Sequence, residues 1–489
     1  MQFLQTENKI VSYFQGYENK NLWSTSHVVS IMGWLTALVL PAFLFFLLKE
    51  TTMNWACTNF VVIFSAALNM WIFRLVPEYV PAVFMILATI ILGLAHQNVL
   101  LSGFGSDSFF LALGVFGIGA VLVKSRLFYR LSLLILNHLP KNKFLLQLVL
   151  FGIGLLLTPV MTAQSARVSL IAPLLEDMRK TAGLKSKSMA ANSLACAAFN
   201  GCILLSVMFL TGKSSNFVLF GMLPEQTQWQ YGWLNWLFVA SVPGFILIAL
   251  FLLLNSLQFR NEDELLINRL AIGRELRLLG KLNNYEWAAI LSITGLILGL
   301  AFSSWHQIPS AWISFAIFFI LLTLGILNKD DFKNGINWPF LFYLGAIIGI
   351  MRCVQEIGID AWIVDYLFWL SQIANQNQVL FLILVYVLSW LGGLLFGTMA
   401  APALMFTLLM PVAQQAVLNS WLIAFVILMA TEAWIFPYQS SYFLCFEEWA
   451  KETQAYDLRK TVTLNAWFSV LRLLAILLSI PFWRAVGVL

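Results

Sequence analysis

The chain has 489 residues, of which 60% are apolar and only 10% are charged, with a formal net charge of +5. Soluble domains carry about 25% charged residues, so this composition excludes a soluble enzyme, a nucleic-acid-binding protein and a disordered chain. One helix needs about 20 apolar residues to cross a bilayer. We therefore predict an all-α polytopic membrane protein that has the lipid bilayer as its surroundings.

Eleven apolar segments have the length of single spans. They lie at 27–49, 54–73, 79–95, 108–124, 188–222, 231–257, 285–302, 309–327, 338–356, 419–446 and 463–487. Two other apolar segments, 143–176 and 378–415, are longer than one span and carry Gly, Thr and Pro in their middle. We predict that each is a re-entrant hairpin, because unwound backbone at membrane depth is tolerated only under protein or in a water-filled cavity.

The distribution of basic residues predicts the topology. With the N-terminus in the cytoplasm and each hairpin returning to its own side, most of the 28 lysines and arginines lie on the cytoplasmic face. This is the bias that cytoplasmic loops show. If either hairpin were a single span, every later segment would be inverted and the bias would be lost. The short loops favour the inner (plasma) membrane of a bacterium as the location.

The chain divides into four predicted units, of which the second and fourth resemble each other. The units are the N-terminal segment with the first span (1–53), a first repeat (54–257) with a hairpin (143–176) and a broken helix (188–222), a cytoplasmic linker (258–284), and a second repeat (285–489) with a hairpin (378–415) and a broken helix (419–446). Both broken helices carry Ser-Ser-x-Phe at the break. Each repeat has five spans, so the second copy must be inverted, an arrangement typical of secondary transporters.

Polar residues cluster at the hairpin tips and at the helix breaks. Half-helices that begin there present free N–H groups and partial positive charge, which favour an anion. The alternative is that the hydroxyl groups only bond back to the preceding helical turn. The candidate substrate-binding residues are Thr158, Thr162, Gln164, Ser165 and Arg167 at the first tip, Lys213, Ser214, Ser215 and Asn216 at the first break, Thr398 at the second tip, and Gln439, Ser440 and Ser441 at the second break.

Three ionisable residues lie inside these apolar segments, where a charge is costly and marks a functional candidate. Arg167 and Lys213 are candidate cations for an anionic substrate, and the alternative for them is an internal salt bridge. Glu432 precedes the second break, where it either carries a proton or neutralises one of these cations. We therefore assign coupling to these three residues. The histidines and cysteines show no metal-ligand spacing, so we expect no metal and no cofactor.

This layout resembles the divalent anion:sodium symporter family, also called solute carrier family 13, within the ion transporter superfamily. The segment 103–136 is similar to the family's Gly-Phe-Ser start of the fourth span, and the segments 158–175 and 437–449 fall where that family's site motifs fall. The resemblance implies eleven spans, two opposed hairpins, two broken helices and a homodimer that works by an elevator motion. It also implies that the amphipathic segments 123–140 and 362–376 are interfacial arm helices.

The sequence departs from that family at both hairpin tips. Sodium-coupled members carry Ser-Asn-Thr there, whereas these tips read AQSAR at 163–167 and TMAAP at 398–402. A fixed Arg or Lys can replace a coupling cation electrostatically. We therefore predict coupling to protons, or anion exchange, rather than coupling to sodium.

The resemblance implies a small anionic substrate, either a di- or tricarboxylate or an inorganic oxyanion. The alternative is a cation:proton or metalloid efflux carrier of the same superfamily, which would need several buried carboxylates, and the segments of the candidate site supply mainly Glu432. An enzyme is not expected, because no Ser–His dyad and no pair of intramembrane aspartates is present.

Overall fold

The computed structural model describes residues 27–49, 54–138, 142–259, 273 and 276–489. All regular elements in these ranges are helices, as the composition predicts for a polytopic membrane protein. The predictions for 1–26 and for most of the linker 258–284 lie outside the described residues.

Eight of the described helices are long and apolar enough to cross a membrane, judged by length and composition. They are Val29–Leu48, Trp55–Ile72, Gln97–Ser125, Trp233–Gln258, Asn284–Ala301, Trp338–Ile357, Gln378–Gln415 and Arg459–Ala485. All of them except Gln378–Gln415 coincide with predicted spans. The predicted spans at 79–95 and 309–327 correspond to the shorter apolar helices Tyr79–Ile91 and Ser310–Thr323.

The remaining two apolar segments, 188–222 and 419–446, are interrupted helices, as the sequence predicts. The first broken helix consists of Met189–Ile203 and Ser214–Met222, and the second consists of Ser420–Thr431 and Ser441–Thr453. A 3-10 turn at Pro437–Gln439 lies in the second break. Proline has no N–H to continue an α-helical ladder, so the chain cannot pass Pro437 as regular helix.

Glycine also shapes the first break. A Cβ atom on Gly212 would lie 2.5 Å from the carbonyl oxygen of Ser206, so any larger residue would push the two sides of the break apart. The chain turns tightly there, and the next helix then begins at Ser214.

Both segments predicted as hairpins are interrupted near their middle. Hairpin segment 1 (143–181) contains Lys143–Leu157 and Gln164–Thr181, joined by an irregular tip at 158–163. Hairpin segment 2 (378–415) is one long helix except at Gly397, whose φ of 75° and ψ of 175° are not helical. A positive φ is accessible mainly to glycine, so Gly397 marks the kink. The re-entrant course of both segments stays a prediction.

Each hairpin segment packs on one half of each broken helix, and the two segments use opposite halves. Hairpin segment 1 packs on Met189–Ile203 and on Ser441–Thr453, which are the first half of one broken helix and the second half of the other. Hairpin segment 2 packs on Ser420–Thr431 and on Ser214–Met222. Each hairpin segment therefore contacts both broken helices.

The amphipathic segments differ in part from the prediction. The first forms Leu127–His138, because Lys124 and Ser125 still belong to the preceding helix, which ends at a left-handed Arg126. Arg130 on this helix forms an ion pair of 2.5 Å with Glu286. The second segment is two short helices, Ile359–Tyr366 and Phe368–Gln376, rather than one helix.

Short helices complete the described chain. They are the 3-10 turn Ser102–Gly105, which follows Gln97–Leu101 and precedes Asp107–Ser125, and the connections Glu225–Gln230, Ser303–His306 and Lys329–Asn334.

Two glycines let hairpin segment 1 lie directly against the first broken helix. A Cβ atom on Gly201 would lie 2.3 Å from the carbonyl oxygen of Phe151, and one on Gly154 would lie 2.6 Å from the amide nitrogen of Cys202. Small residues allow such close backbone approach between membrane helices. The position of the first tip therefore depends on this contact.

We expect Gly201→Ala to destabilise the protein, because the added methyl group must displace the backbone of Phe151. Overpacking of this kind costs about 1–3 kcal/mol. The measurement is thermal unfolding of purified protein in detergent. Gly152→Ala is the matched control, since nothing lies within 4 Å of its Cβ position. Equal melting temperatures for both variants would contradict the packing argument.

Candidate functional site

The first hairpin tip and both helix breaks meet at the side chain of Glu432. This residue ends the helix Ser420–Thr431 and is buried. Its Oε2 atom pairs with Nζ of Lys213 from the first break. Its Oε1 atom accepts hydrogen bonds from Nε2 of Gln164 at 2.6 Å and from the hydroxyl of Tyr442 at 3.1 Å. We call these four residues the Glu432 cluster.

The Glu432 cluster resolves one alternative that the sequence leaves open. Glu432 neutralises Lys213 rather than Arg167, since the described residues contain no carboxylate within 4.0 Å of the Arg167 guanidinium. A buried carboxylate with three donors around it is well stabilised as an anion. In this conformation the Lys213 ammonium group is therefore already paired with Glu432.

Arg167 is buried, and the part of the chain that the structure describes supplies no counter-ion to it. It is 0% exposed. Its Nη2 atom donates to Oγ of Ser206 at 2.9 Å, and its Nη1 atom donates to the carbonyl of Thr158 at 3.3 Å. Its Nε–H has no partner. A buried charge that lacks both a counter-ion and one hydrogen bond is costly to keep, so a further anionic partner is expected there.

Ser206 connects Arg167 to Gln164 of the Glu432 cluster, and the sequence analysis missed it. Its hydroxyl donates to the carbonyl of Ile203 at 2.7 Å and lies 3.4 Å from Nε2 of Gln164. A single serine in an apolar run most often bonds back to its own helix, which this one also does. Tyr442 was missed as well, although it belongs to the Ser-Ser-x-Phe pattern of the second break.

The first break contains further polar atoms with unused bonding capacity. Nδ2 of Asn216 donates to the carbonyls of Ser206 at 2.9 Å and Phe209 at 2.8 Å. Oδ1 of Asn216 and Oγ of Ser215 are buried and have no hydrogen-bond partner among the described residues. Ser214 is buried beside them. These atoms border the site, where Ser215 can donate to an anion.

Threonines tie the first hairpin tip to the first break. Oγ1 of Thr162 donates to the carbonyl of Thr211 at 3.0 Å, and the hydroxyl of Thr211 donates to the carbonyl of Pro159 at 2.5 Å. Thr158 donates to the carbonyl of Gly154, four residues back, at 3.1 Å. Thr158 and Thr162 therefore shape the tip, and only the carbonyl of Thr158 contacts Arg167.

The structure gives the candidates of the second repeat other positions. Gln439 accepts hydrogen bonds from the backbone N–H groups of Ile435 and Phe436, and Ser440 caps the helix that follows the break. Ser441 is exposed, and Thr398 is half-buried without a hydrogen bond to the Glu432 cluster in the described chain. Ser165, at the first tip, is also half-buried. The polar contacts therefore centre on the first tip and first break.

Buried charges in the described residues are mainly positive around this site. Lys213 and Arg167 are 0% exposed, and Arg472 of the last helix is 4% exposed, whereas Glu432 is the one buried carboxylate near them. The other buried carboxylate, Glu286, pairs with Arg130 elsewhere. The electrostatic balance at the breaks therefore favours an added anion.

Two helix N-termini add to this positive potential. The helices Gln164–Thr181 and Ser214–Met222 begin at the site, and neither has a side-chain cap. Uncapped N–H groups and the helix dipole attract negative charge. By contrast, Ser440 satisfies the N-terminus of Ser441–Thr453.

A cavity of about 570 Å³ approaches the second break. It is lined by Lys187, Pro437, Glu447, Ala450, Lys451, Tyr456, Asp457, Leu458, Arg459 and Val462. Its basic residues lie at the end of the helices that the sequence predicts to be cytoplasmic. The Glu432 cluster does not line this cavity, so protein covers the cluster in this conformation.

The apolar helices define a multi-pass membrane protein. The chain belongs to the family described as the sodium:sulfate symporter transmembrane region, whose profile matches residues 28–489. The resemblance to the divalent anion:sodium symporters is thereby confirmed over nearly the whole chain.

Three relatives show the range of the family. The chain is 22% identical to the inner membrane protein YbhI of Escherichia coli, over 62% of this chain and 66% of that protein. It is 22% identical to the putative malate transporter YflS of Bacillus subtilis, over 61% and 64%. It is 23% identical to the L-tartrate/succinate antiporter of Escherichia coli, over 53% and 55%. Each match thus spans less than two thirds of the relative.

We expect Lys213→Gln to destabilise the protein strongly, because Glu432 would remain as a buried carboxylate without its counter-ion. Breaking a buried pair from one side costs about 3–5 kcal/mol. The double variant Lys213→Gln with Glu432→Gln should recover most of this loss, since no charge is left unpaired. Thermal unfolding of the two single variants and the double variant measures the coupling. If the two single effects simply add, the pair is not an energetic unit.

Proposed function

We propose that this protein is a secondary active transporter of a small organic anion, most simply a dicarboxylate. The observation that supports an anion is Arg167, a fully buried guanidinium with no carboxylate partner in the described chain and with an unused Nε–H. The names of two relatives, a putative malate transporter and an L-tartrate/succinate antiporter, favour dicarboxylates over inorganic oxyanions.

In this proposal Arg167 holds one substrate carboxylate. Its planar fork matches a carboxylate with two parallel hydrogen bonds. The helix that begins at Ser214 has no side-chain cap, and the hydroxyl of Ser215 has no partner among the described residues, so both could donate to the same substrate. Ser214 and Asn216 border the site. The substrate would therefore meet side-chain and backbone donors together, without a metal or a cofactor.

Glu432 and Lys213 provide the coupling in this proposal. While Glu432 is ionised, it neutralises Lys213. A proton on Glu432 would remove that negative charge and leave Lys213 as a second cation for the substrate. Gln164, Tyr442, Arg167 and Arg472 also face Glu432 by contact or at electrostatic range. Proton coupling or anion exchange through this pair would replace sodium coupling.

The architecture that we propose is an inverted repeat with two re-entrant hairpins and an elevator motion. Its support is the exchange of partners between the hairpin segments and the broken helices. We also propose a homodimer in an inner membrane with a cytoplasmic N-terminus. A cation or metalloid efflux carrier is disfavoured, because the one buried carboxylate near the breaks in the described chain is already paired with Lys213.

Uptake into proteoliposomes tests the substrate and the coupling. The panel contains labelled succinate, citrate, sulfate, phosphate and arsenite, each with a sodium gradient, with a pH gradient, or with internal anion and no gradient. We expect succinate uptake that is indifferent to sodium and rises with an inward proton gradient or with internal anion. Glu432→Gln should remove the response to pH. Strict sodium dependence would contradict the coupling proposal. Uptake of arsenite, and of no other compound in the panel, would contradict the proposal that the substrate is an anion.

Arg167→Gln should weaken succinate transport, since a charge-assisted contact is lost. Such contacts contribute about 1.5–3 kcal/mol, so we expect KM to rise by roughly ten- to a hundredfold. Arg167→Lys should lie between wild type and Arg167→Gln, because an ammonium keeps the charge but not the fork. Arg484→Gln, an exposed arginine of the last helix, is the control. An unchanged KM in Arg167→Gln would remove Arg167 from the site.

A further inference from the structure

Arg472 is a buried cation on the last helix, Arg459–Ala485, far along the chain from the hairpin tips and breaks. It is 4% exposed. Its Nη2 atom donates to the carbonyl of Leu204 at 3.3 Å, and its Nη1 atom contacts Sδ of Met429 at 3.8 Å. The guanidinium therefore lies between the first halves of the two broken helices.

Both contacts of Arg472 are close to the Glu432 cluster in the fold. Leu204 ends the helix Met189–Ile203 and lies two residues before Ser206, which bonds to Arg167. Met429 lies three residues before Glu432, and Arg472 is within electrostatic range of both Glu432 and Lys213. Arg472 is thus a third positive charge at the same place.

Arg472 has no acidic partner within 4.0 Å among the described residues. Its hydrogen-bond partner is instead the carbonyl at the C-terminal end of a helix. Such an end carries partial negative charge and unsatisfied carbonyl groups. In transporters with broken helices, C-terminal half-helix ends and unwound carbonyls are where coupling cations are held. Arg472 supplies a permanent cation at a position of this kind.

We propose that Arg472 is a fixed cation that takes the electrostatic place of a coupling ion at the end of Met189–Ile203, and that it thereby sets the affinity of the site for its anion. It is a positioning residue, which acts through the carbonyl of Leu204 and through its field. This inference rests on the proposed anion transport, because its effect is on anion binding. Arg472 is thereby added to the proposed anion site, although it lies outside the hairpin tips and the helix breaks.

Burial of Arg472 is difficult to explain by packing alone. A buried guanidinium loses much of its hydration free energy, and a carbonyl and a thioether return only part of it. An aliphatic side chain of similar size would fill the same space at lower cost. The charge itself is therefore the property that the position uses.

The test compares Arg472→Gln with Arg472→Lys, and Arg484→Gln on the exposed part of the same helix is the matched control. Two quantities are measured on purified protein. One is the KM of succinate uptake with and without added sodium or guanidinium ions. The other is the rise in melting temperature that succinate produces in detergent.

For Arg472→Gln we expect KM to rise by roughly tenfold, which corresponds to about 1.4 kcal/mol, and the stabilisation by succinate to shrink. Added guanidinium or sodium should restore part of both, since a free cation can occupy the vacated position. Arg472→Lys should keep a KM near that of wild type, and Arg484→Gln should match wild type in both measurements.

Two outcomes would overturn the inference. One is an Arg472→Gln protein with the KM and succinate stabilisation of wild type. The other is an equal loss in Arg472→Gln and Arg472→Lys that no cation restores, which would assign the residue to packing. A wild-type protein that neither transports nor is stabilised by any anion of the panel would instead refute the proposed function.

Discussion

The buried ion pair between Lys213 and Glu432 joins parts of the chain that are 219 residues apart. It fixes the first break against the second, and Gln164 adds the first hairpin tip to the same carboxylate. Two charges that have left water attract each other strongly, but their desolvation offsets much of that gain. The pair therefore specifies an arrangement more than it stabilises one, because any displacement of the breaks would leave a charge alone in the protein interior.

The interruptions in the two broken helices make the pairing of Lys213 with Glu432 possible. Continuous helices in the two broken spans would keep Lys213 and Glu432 on regular helical faces, with every N–H and C=O bonded inside its own helix. The irregular backbone around Gly212 and Pro437 frees polar groups in the middle of an apolar assembly. Those groups must be satisfied from neighbouring segments. The contacts from Thr162 to Thr211 and from Asn216 to Ser206 do this, so the polar network and the breaks require each other.

Sequence reasoning located the ionisable residues of the first tip and both breaks, because a charge in an apolar run is conspicuous. It also identified the interruptions, since Gly, Pro and polar residues in the middle of a long apolar segment disfavour one continuous helix.

Which charges pair could not be predicted, because pairing depends on distances between remote segments and no spacing along the chain encodes these distances. Arg472 was not a candidate, because the helix around it has no break to mark a site. Ser206 and Tyr442 were hidden for a similar reason, as single hydroxyl groups in helices usually bond locally. The division of the second amphipathic segment into two helices at Leu367 was not predicted, because no Gly or Pro marks it.

Three buried basic residues against one buried carboxylate also bear on the proposal that this member of a family described by sodium symport is not coupled to sodium. A bound sodium ion arrives and leaves with the substrate, so its charge is present only when the site is loaded. Arg167, Lys213 and Arg472 are present in every step, and an empty site would carry excess positive charge through the membrane interior. Glu432 reduces that excess by neutralising Lys213 within the protein. The remaining charge still disfavours movement of the empty site across the bilayer, because isolated charges are costly there. The carrier that we propose would therefore be biased toward exchanging one anion for another, and a proton on Glu432 would change how much negative charge its loaded site can accept.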